Sequence, residues 1–320
     1  MKAFLASLII LAVLLSGLAA YLFIENTKLQ RELQDLKSKY DGLTSKYNEL
    51  RLNYEDLSKK YSDLHEEYSA LKADYEKLST MYQDLRKQYD LFLTGYAKLR
   101  KEVLERTFLD PEGWPSKIDY KDPEVFSATA KALDAWWYGA SPYSRIYGWV
   151  KDNIKYNYDT PLPILPNETW ESVGWLQDYW KKASETLEDG YGDCEDQAIL
   201  VAAMVLNYWE KTYGRTYAIW VVLITGPTVG HAFTIIPVQG GKVIILDPAG
   251  SQITGLDLWI YRIVEPEDIY EAITEYVEEW EKHGYYYDKV YAVFNHKEYK
   301  ILNMDIYEFI KWLYGQVLEK

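Results

Sequence analysis

One cysteine, Cys194, and four histidines are all that 320 residues offer of the side chains most used in nucleophilic and metal chemistry. A lone cysteine excludes intramolecular disulfides and any cysteine-rich zinc site, and leaves a thiol that is either inert filler or reactive. Positive charge is also in short supply. Lys and Arg total 35 against 49 Asp and Glu, a net charge of -14 that argues against a nucleic-acid partner. Tryptophan is missing from the first third of the chain, since all 12 lie at or after Trp114, and charge is missing from residues 3–24. These gaps divide the chain into stretches of different physical character.

The uncharged stretch Ala3 to Ile24 is interrupted only by Ser7, Ser16 and Gly17. Its length suits a bilayer span, and its apolar character runs past the small residues Gly17-Leu18-Ala19 that would otherwise suggest a cleaved signal peptide. The reading is a membrane anchor over residues 1–24, with signal-peptide cleavage as the alternative. Lys28, Arg31, Lys37 and Lys39 follow the span, so counting charges does not favour export. The arrangement nonetheless has the form of a signal-anchor, and long domains translocate largely regardless of charge, so the following domain is placed outside the cytoplasm. Asn167-Glu168-Thr169 is a glycosylation sequon that fits this choice.

From Leu29 the sequence repeats every seven residues. Tyrosines at 40, 47, 54, 61, 68, 75, 82, 89 and 96 form one series, and Leu29, Leu36, Leu43, Leu50, Leu57, Leu64, Leu71, Leu78 and Leu85, continued by Phe92 and Leu99, form the other. This is an a/d heptad pattern with Tyr at a and Leu at d. Residues 25–107 are read as a coiled coil that self-associates through the 29–103 seam, because a lone helix would leave the seam in water. Its simplest role is that of a spacer.

Asp110-Pro111-Glu112-Gly113-Trp114-Pro115 ends the helix, so a separate domain is placed at residues 108–320. Asp122-Pro123 and Pro142 open helices reaching about Tyr138 and Asn153. Cys194 opens a long apolar helix with Gly214 as its C-cap. Three strand-like runs follow, Tyr217 to Thr225, His231 to Val238 and Val243 to Leu246, the last two forming a hairpin. A surface helix over 265–282, a strand over 285–294 and a closing helix over 304–318 complete an α+β order.

The candidate nucleophile is Cys194. Asp193 is a suitable N-cap and Asp196 can return a hydrogen bond to the cap amide, which would turn both carboxylates away from a thiol placed at the positive end of the helix. A thiol in such a setting titrates at about 3.5 to 7.5. Nucleophilic use needs a base and a group to orient that base. Of the histidines only His231 begins a strand, flanked by the small residues Gly230 and Ala232, and Asp247 ends the next strand. Asp247 and His231 share a face only if the connecting loop is odd, because a two-residue Gly240-Gly241 turn would pair 234 with 247. A loop of three or five residues is therefore expected, with a glycine in a left-handed bulge.

Glu185-Thr186-Leu187, Gly192-Asp193-Cys194-Glu195-Asp196, Gly230-His231-Ala232-Phe233 and Leu246-Asp247-Pro248, in this order, resemble the transglutaminase-like superfamily of papain-like cysteine hydrolases. The motifs cover residues 185–248, with weaker similarity back to Ile154-Lys155-Tyr156. The resemblance implies a papain-like α+β core in which Cys194 is the nucleophile, His231 the general base and acid, and Asp247 its orienter. It implies amide-bond chemistry on a peptide or protein through a thioester, with no cofactor and no metal. Phe233 departs from the Trp that commonly follows His-Ala in the family. Transamidation, and a non-catalytic envelope scaffold carrying a ligand-binding head, are the alternatives. A zinc site at Cys194, His231 and Asp247 lacks paired-ligand spacing.

Overall fold

The computed structural model describes residues 1–166, 172–258 and 261–318. The sequon at 167–169 lies outside them. Two compact units are resolved, Met1–Leu91 and Phe92–Lys320.

The first unit lies within one helix, α1 (Lys2–Leu104), which has no buried residue. Its N-terminal end makes it the one helix among the described residues long and apolar enough to cross a membrane. The Tyr and Leu side chains of the repeat from Leu29 to Leu85 all stand exposed. In the second unit the last members of the repeat are engaged. The Tyr96 hydroxyl donates to the Pro166 carbonyl at 2.5 Å, and Arg100 Nε donates to the Leu165 carbonyl at 3.3 Å.

The second unit is α+β. Helices α2 (Pro123–Asp134) and α3 (Pro142–Asn153) begin where proline follows a capping residue. Asp122 accepts from the Glu124 amide, and Ser141 accepts from the Ser144 amide. The helix expected to reach Tyr138 stops at Asp134, and Trp136–Tyr138 form a separate single turn. Strand β1 (Lys155–Tyr156), the hairpin β2 (Leu162–Ile164) with β3 (Gly174–Leu176), helix α4 (Ala183–Asp189) and strand β4 (Tyr191–Gly192) lead into α5 (Cys194–Tyr213). β1 and β4 pair in parallel, setting Tyr156 beside Gly192.

From Ala198 to Leu206 α5 is apolar on every side, as befits a helix enclosed by others and a sheet. Ala198 to Leu206 are all buried, and it ends at Gly214 in the left-handed region, φ 67°. Fully burying a residue such as Leu200, Met204 or Leu206 contributes about 1.5–3 kcal/mol.

The sheet is built from β5 (Trp220–Thr225), β6 (Gly230–Val238), β7 (Lys242–Asp247), β8 (Gln252–Ile253), β11 (Glu267–Asp268), β12 (Lys289–Phe294) and β13 (Tyr299–Asp305). Its order is β11-β7-β6-β5-β12-β13, with β8 paired to β7 and every pair antiparallel. A small hairpin, β9 (Leu256–Leu258) with β10 (Tyr261–Ile263), stands apart.

Alternation along the strands serves two cores. Val221, Leu223, Ala232, Ile236, Ile244 and Leu246 face α5. Val222, Ile224, Phe233, Ile235, Val243 and Ile245 face α6 (Ile269–Lys282) and α7 (Ile306–Leu318). The closing helix was expected from 304; instead 299–305 is an edge strand and α7 starts behind an Asp305–Glu308 capping box.

Candidate active site

The β6–β7 hairpin pairs Val238 with Lys242, leaving the three-residue loop 239–241, in which Gly240 and Gly241 have φ of 82° and 72°. This is an odd loop with left-handed glycines, as the shared-face argument requires. In this register Phe233 is the residue of β6 that stands across from Asp247, and His231 lies two residues back on the same face. His231 Nε2 and Asp247 Oδ2 are 2.9 Å apart, and both residues are buried.

Asp247 is held from two further sides. The Gly250 amide donates to Oδ1 at 2.8 Å, and the Tyr276 hydroxyl donates to Oδ2 at 2.8 Å. Trp280, one turn beyond Tyr276 on α6, packs on the imidazole with ring centroids 4.6 Å apart. With Nε2 committed to Asp247, the other ring nitrogen, Nδ1, is the atom left to exchange a proton.

Cys194 sits at the start of α5, on the other side of the sheet. Thr234 Oγ1 donates to the Ala198 carbonyl at 2.8 Å. This tie binds β6 to the first turn of α5, four residues from the thiol and three from the imidazole. Cys194 and His231 line one cleft of about 560 Å³, together with Tyr156, Tyr158, Trp180, Asp178, Asp193 and Glu195.

The capping arrangement expected at Cys194 is not formed. Asp193 makes no side-chain cap bond. Asp196 Oδ1 accepts instead from the Lys181 amide at 2.8 Å, and the buried Lys181 ammonium stands 3.8 Å from Asp196 Oδ2 and 2.9 Å from Asp189 Oδ2. The thiol donates to Glu195 Oε2 at 3.3 Å. Burial, then the nearby Glu195 and Asp193 carboxyls, push the Cys194 thiol well above its ordinary value, the reverse of the 3.5–7.5 expected from the helix start alone. A backbone hydrogen bond from Ala232 acts the other way, but desolvation and like charge outweigh it.

The same acidic set perturbs itself. Burial and then the Asp193 charge raise Asp159 to about 7, and burial first raises Asp178 to about 6. Burial, followed by the charge of Asp193, pushes Glu195 well up as well. Asp193-Cys194-Glu195, Asp159-Asp193-Asp196 and Asp159-Asp178-Glu195 each bring potential ligand atoms within 4.8 Å. Protonation of some of these carboxyls relieves the repulsion among the rest.

Sequence reasoning missed Tyr276 and Trp280. Their spacing of four on an amphipathic helix was the available signal, but nothing in it says that this face meets Asp247 and His231. Residues 140–276 match the model of a family described as a transglutaminase-like domain, a span that extends the motif region on both sides. Among curated proteins, none matches the chain.

Proposed function

From the match of residues 140–276 to a transglutaminase-like domain, we propose that this protein is a membrane-anchored cysteine hydrolase that cleaves amide bonds in a peptide or protein. Cys194 is the nucleophile, His231 the base and Asp247 the orienting carboxylate. The observation that carries the reading is the 2.9 Å His231–Asp247 contact at the wall of the cleft that also holds the thiol.

Asp247 fixes the imidazole with Nε2–H toward the carboxylate, so Nδ1 takes the thiol proton. The sulfur attacks the carbonyl carbon, and the backbone N–H of Cys194, free at the helix start, faces the oxygen that gains charge. The imidazolium returns the proton to the leaving amine as the C–N bond breaks, giving a thioester. His231 then takes a proton from water as hydroxide adds, and the carboxylic acid leaves with the thiol restored. Replacing water with an amine gives transamidation by the same steps, and hydrolysis is preferred as the reaction that needs no second bound substrate.

Residues 1–24 form the anchor, 25–107 a rod and 108–320 the catalytic domain, held outside the cytoplasm. The exposed Tyr and Leu seam supports self-association of the rod, since apolar side chains spaced at seven bury themselves only against another helix.

Turnover of a peptide p-nitroanilide library by the full-length protein tests the reading. Cys194→Ala and His231→Ala are each expected to lower turnover by about 10³-fold or more. Equal turnover in wild type and Cys194→Ala overturns the hydrolase and leaves the domain a ligand-binding head.

A further inference from the structure

Asp247 is a buried carboxylate with no lysine or arginine paired to it among the described residues. Its charge is met by hydrogen bonds alone, and the distribution of these is uneven. Oδ1 has the Gly250 amide, whereas Oδ2 is shared by His231 Nε2 at 2.9 Å and the Tyr276 hydroxyl at 2.8 Å. Tyr276 is itself buried, with its ring 4.3 Å from Phe233, the residue across the strands from Asp247. A buried phenol must find an acceptor, and this one has taken the oxygen that the imidazole also uses.

We propose that Tyr276 is a positioning residue of the site, whose hydroxyl fixes the rotation of the Asp247 carboxylate and withdraws part of its charge from His231. The proposal rests on the cysteine-hydrolase reading. Each donor to a carboxylate stabilises its charge and weakens its pull on the next donor. With the phenol in place the imidazolium is held less tightly and gives its proton more readily to a leaving amine. Without the phenol, Asp247 turns its charge on His231 alone. The imidazolium is then favoured, and a thiolate beside it forms at lower pH.

Among the described residues, the titratable groups facing this pair and the thiol it acts on come from several elements. Asp247 comes from β7, Tyr276 from α6, Tyr287 from the segment before β12, Tyr156 from β1, and Asp193, Cys194 and Glu195 from the start of α5. Tyr287, raised first by burial, stays neutral through the range of interest.

The test is alkylation of the full-length protein by iodoacetamide across pH 5 to 10, which reads Cys194 alone because the chain has one thiol. Tyr276→Phe keeps the ring against Phe233 and removes only the hydroxyl. The expected result is a profile displaced toward acid by about half a unit, or about threefold faster alkylation on its rising limb. Tyr270→Phe, which removes from the same helix a hydroxyl that meets Tyr307 and not Asp247, is expected to leave the midpoint in place. An unshifted or alkaline-shifted Tyr276→Phe profile overturns the proposal, as does an equal shift in both variants. His231→Ala separates the two levels. If it changes the profile while Tyr276→Phe does not, the positioning role fails and the hydrolase stands; if it changes nothing, both fail.

Discussion

The Cys194 thiol donates its proton to Glu195 Oε2, 3.3 Å away, and not to the imidazole that shares its cleft. The proposed nucleophile therefore rests as a thiol, held by a neighbour on its own helix. Glu195→Gln removes an anion that opposes thiolate formation once the pH has risen far enough to ionise it. Alkylation of this variant by iodoacetamide is expected to run about tenfold faster than wild type above the pH at which Glu195 ionises, which burial and then the Asp193 charge move well up from the carboxylate range. Below that pH, where the carboxyl is protonated, the two rates should converge. A uniform difference across the whole range would mean that Glu195 acts through shape.

Asp159 and Asp178 carry a stability consequence of definite sign. Both titrate higher in the folded domain, at about 7 and about 6, than the ordinary value of 3.8. The folded state therefore binds more protons than the unfolded chain between about pH 3.8 and 7, and stability falls as pH rises through that window. Below it both states are protonated and the cost is absent. Both side chains are partly open to water, which screens part of the effect. Asp159→Asn should raise the melting temperature by roughly 2–4 °C at pH 8 and leave it unchanged at pH 3.5. A rise at both would assign the gain to packing.

The hairpin loop makes a sharper test because its effect is all-or-none. Deleting Gly241 leaves a two-residue turn, which hairpins accept readily, so the sheet should still form. Val238 still pairs with Lys242 across the shortened turn, so the register and the face shared by His231 and Asp247 are kept. The expected outcome is a folded domain by circular dichroism whose alkylation profile matches that of the wild type. A profile like that of His231→Ala would show that the shortened turn had slipped the strands by one residue and parted the pair.

Gly250 leaves no room for a side chain. A Cβ there would lie 2.1 Å from Asp247 Oδ2 and 2.4 Å from the Trp280 ring. Gly250→Ala must therefore displace the carboxylate or the indole. Overpacking of this kind typically costs about 1–3 kcal/mol. Both a lower denaturation midpoint and loss of peptide turnover are expected, whereas Gly240→Ala, with nothing near its Cβ but a left-handed φ, should lower stability alone.

The legible parts of the sequence were those set by local chemistry. Asp122-Pro123, Ser141-Pro142 and Gly214 announce helix ends because a cap, a fixed φ or a left-handed residue acts on its neighbours. The parity of the 239–241 loop was also open to reading, since two side chains that must meet constrain the register between them. The strand over Tyr299–Asp305 was missed because its alternation falls on an exposed edge and runs into a helix of similar composition. The thiol environment was misjudged for a different reason. Asp193 and Asp196 suit capping by type, but Lys181, fifteen residues before Asp196, supplies a competing partner that only the folded chain brings near. Tyr276 and Trp280 belong to the same class of long-range facts.

The sheet separates the chemistry into two cores. Cys194 packs with the α5 layer, while His231 and Asp247 belong to the face covered by α6 and α7. Fraying of the α6 layer would carry off Tyr276 and Trp280 and release His231, the proposed base, yet leave the sulfur seated on a helix whose middle is buried from Ala198 to Leu206. On the proposed hydrolase reading, the first casualty of such fraying is turnover and not the fold. A heated or chaotrope-treated sample would keep its compactness and its alkylatable cysteine while turnover had already gone.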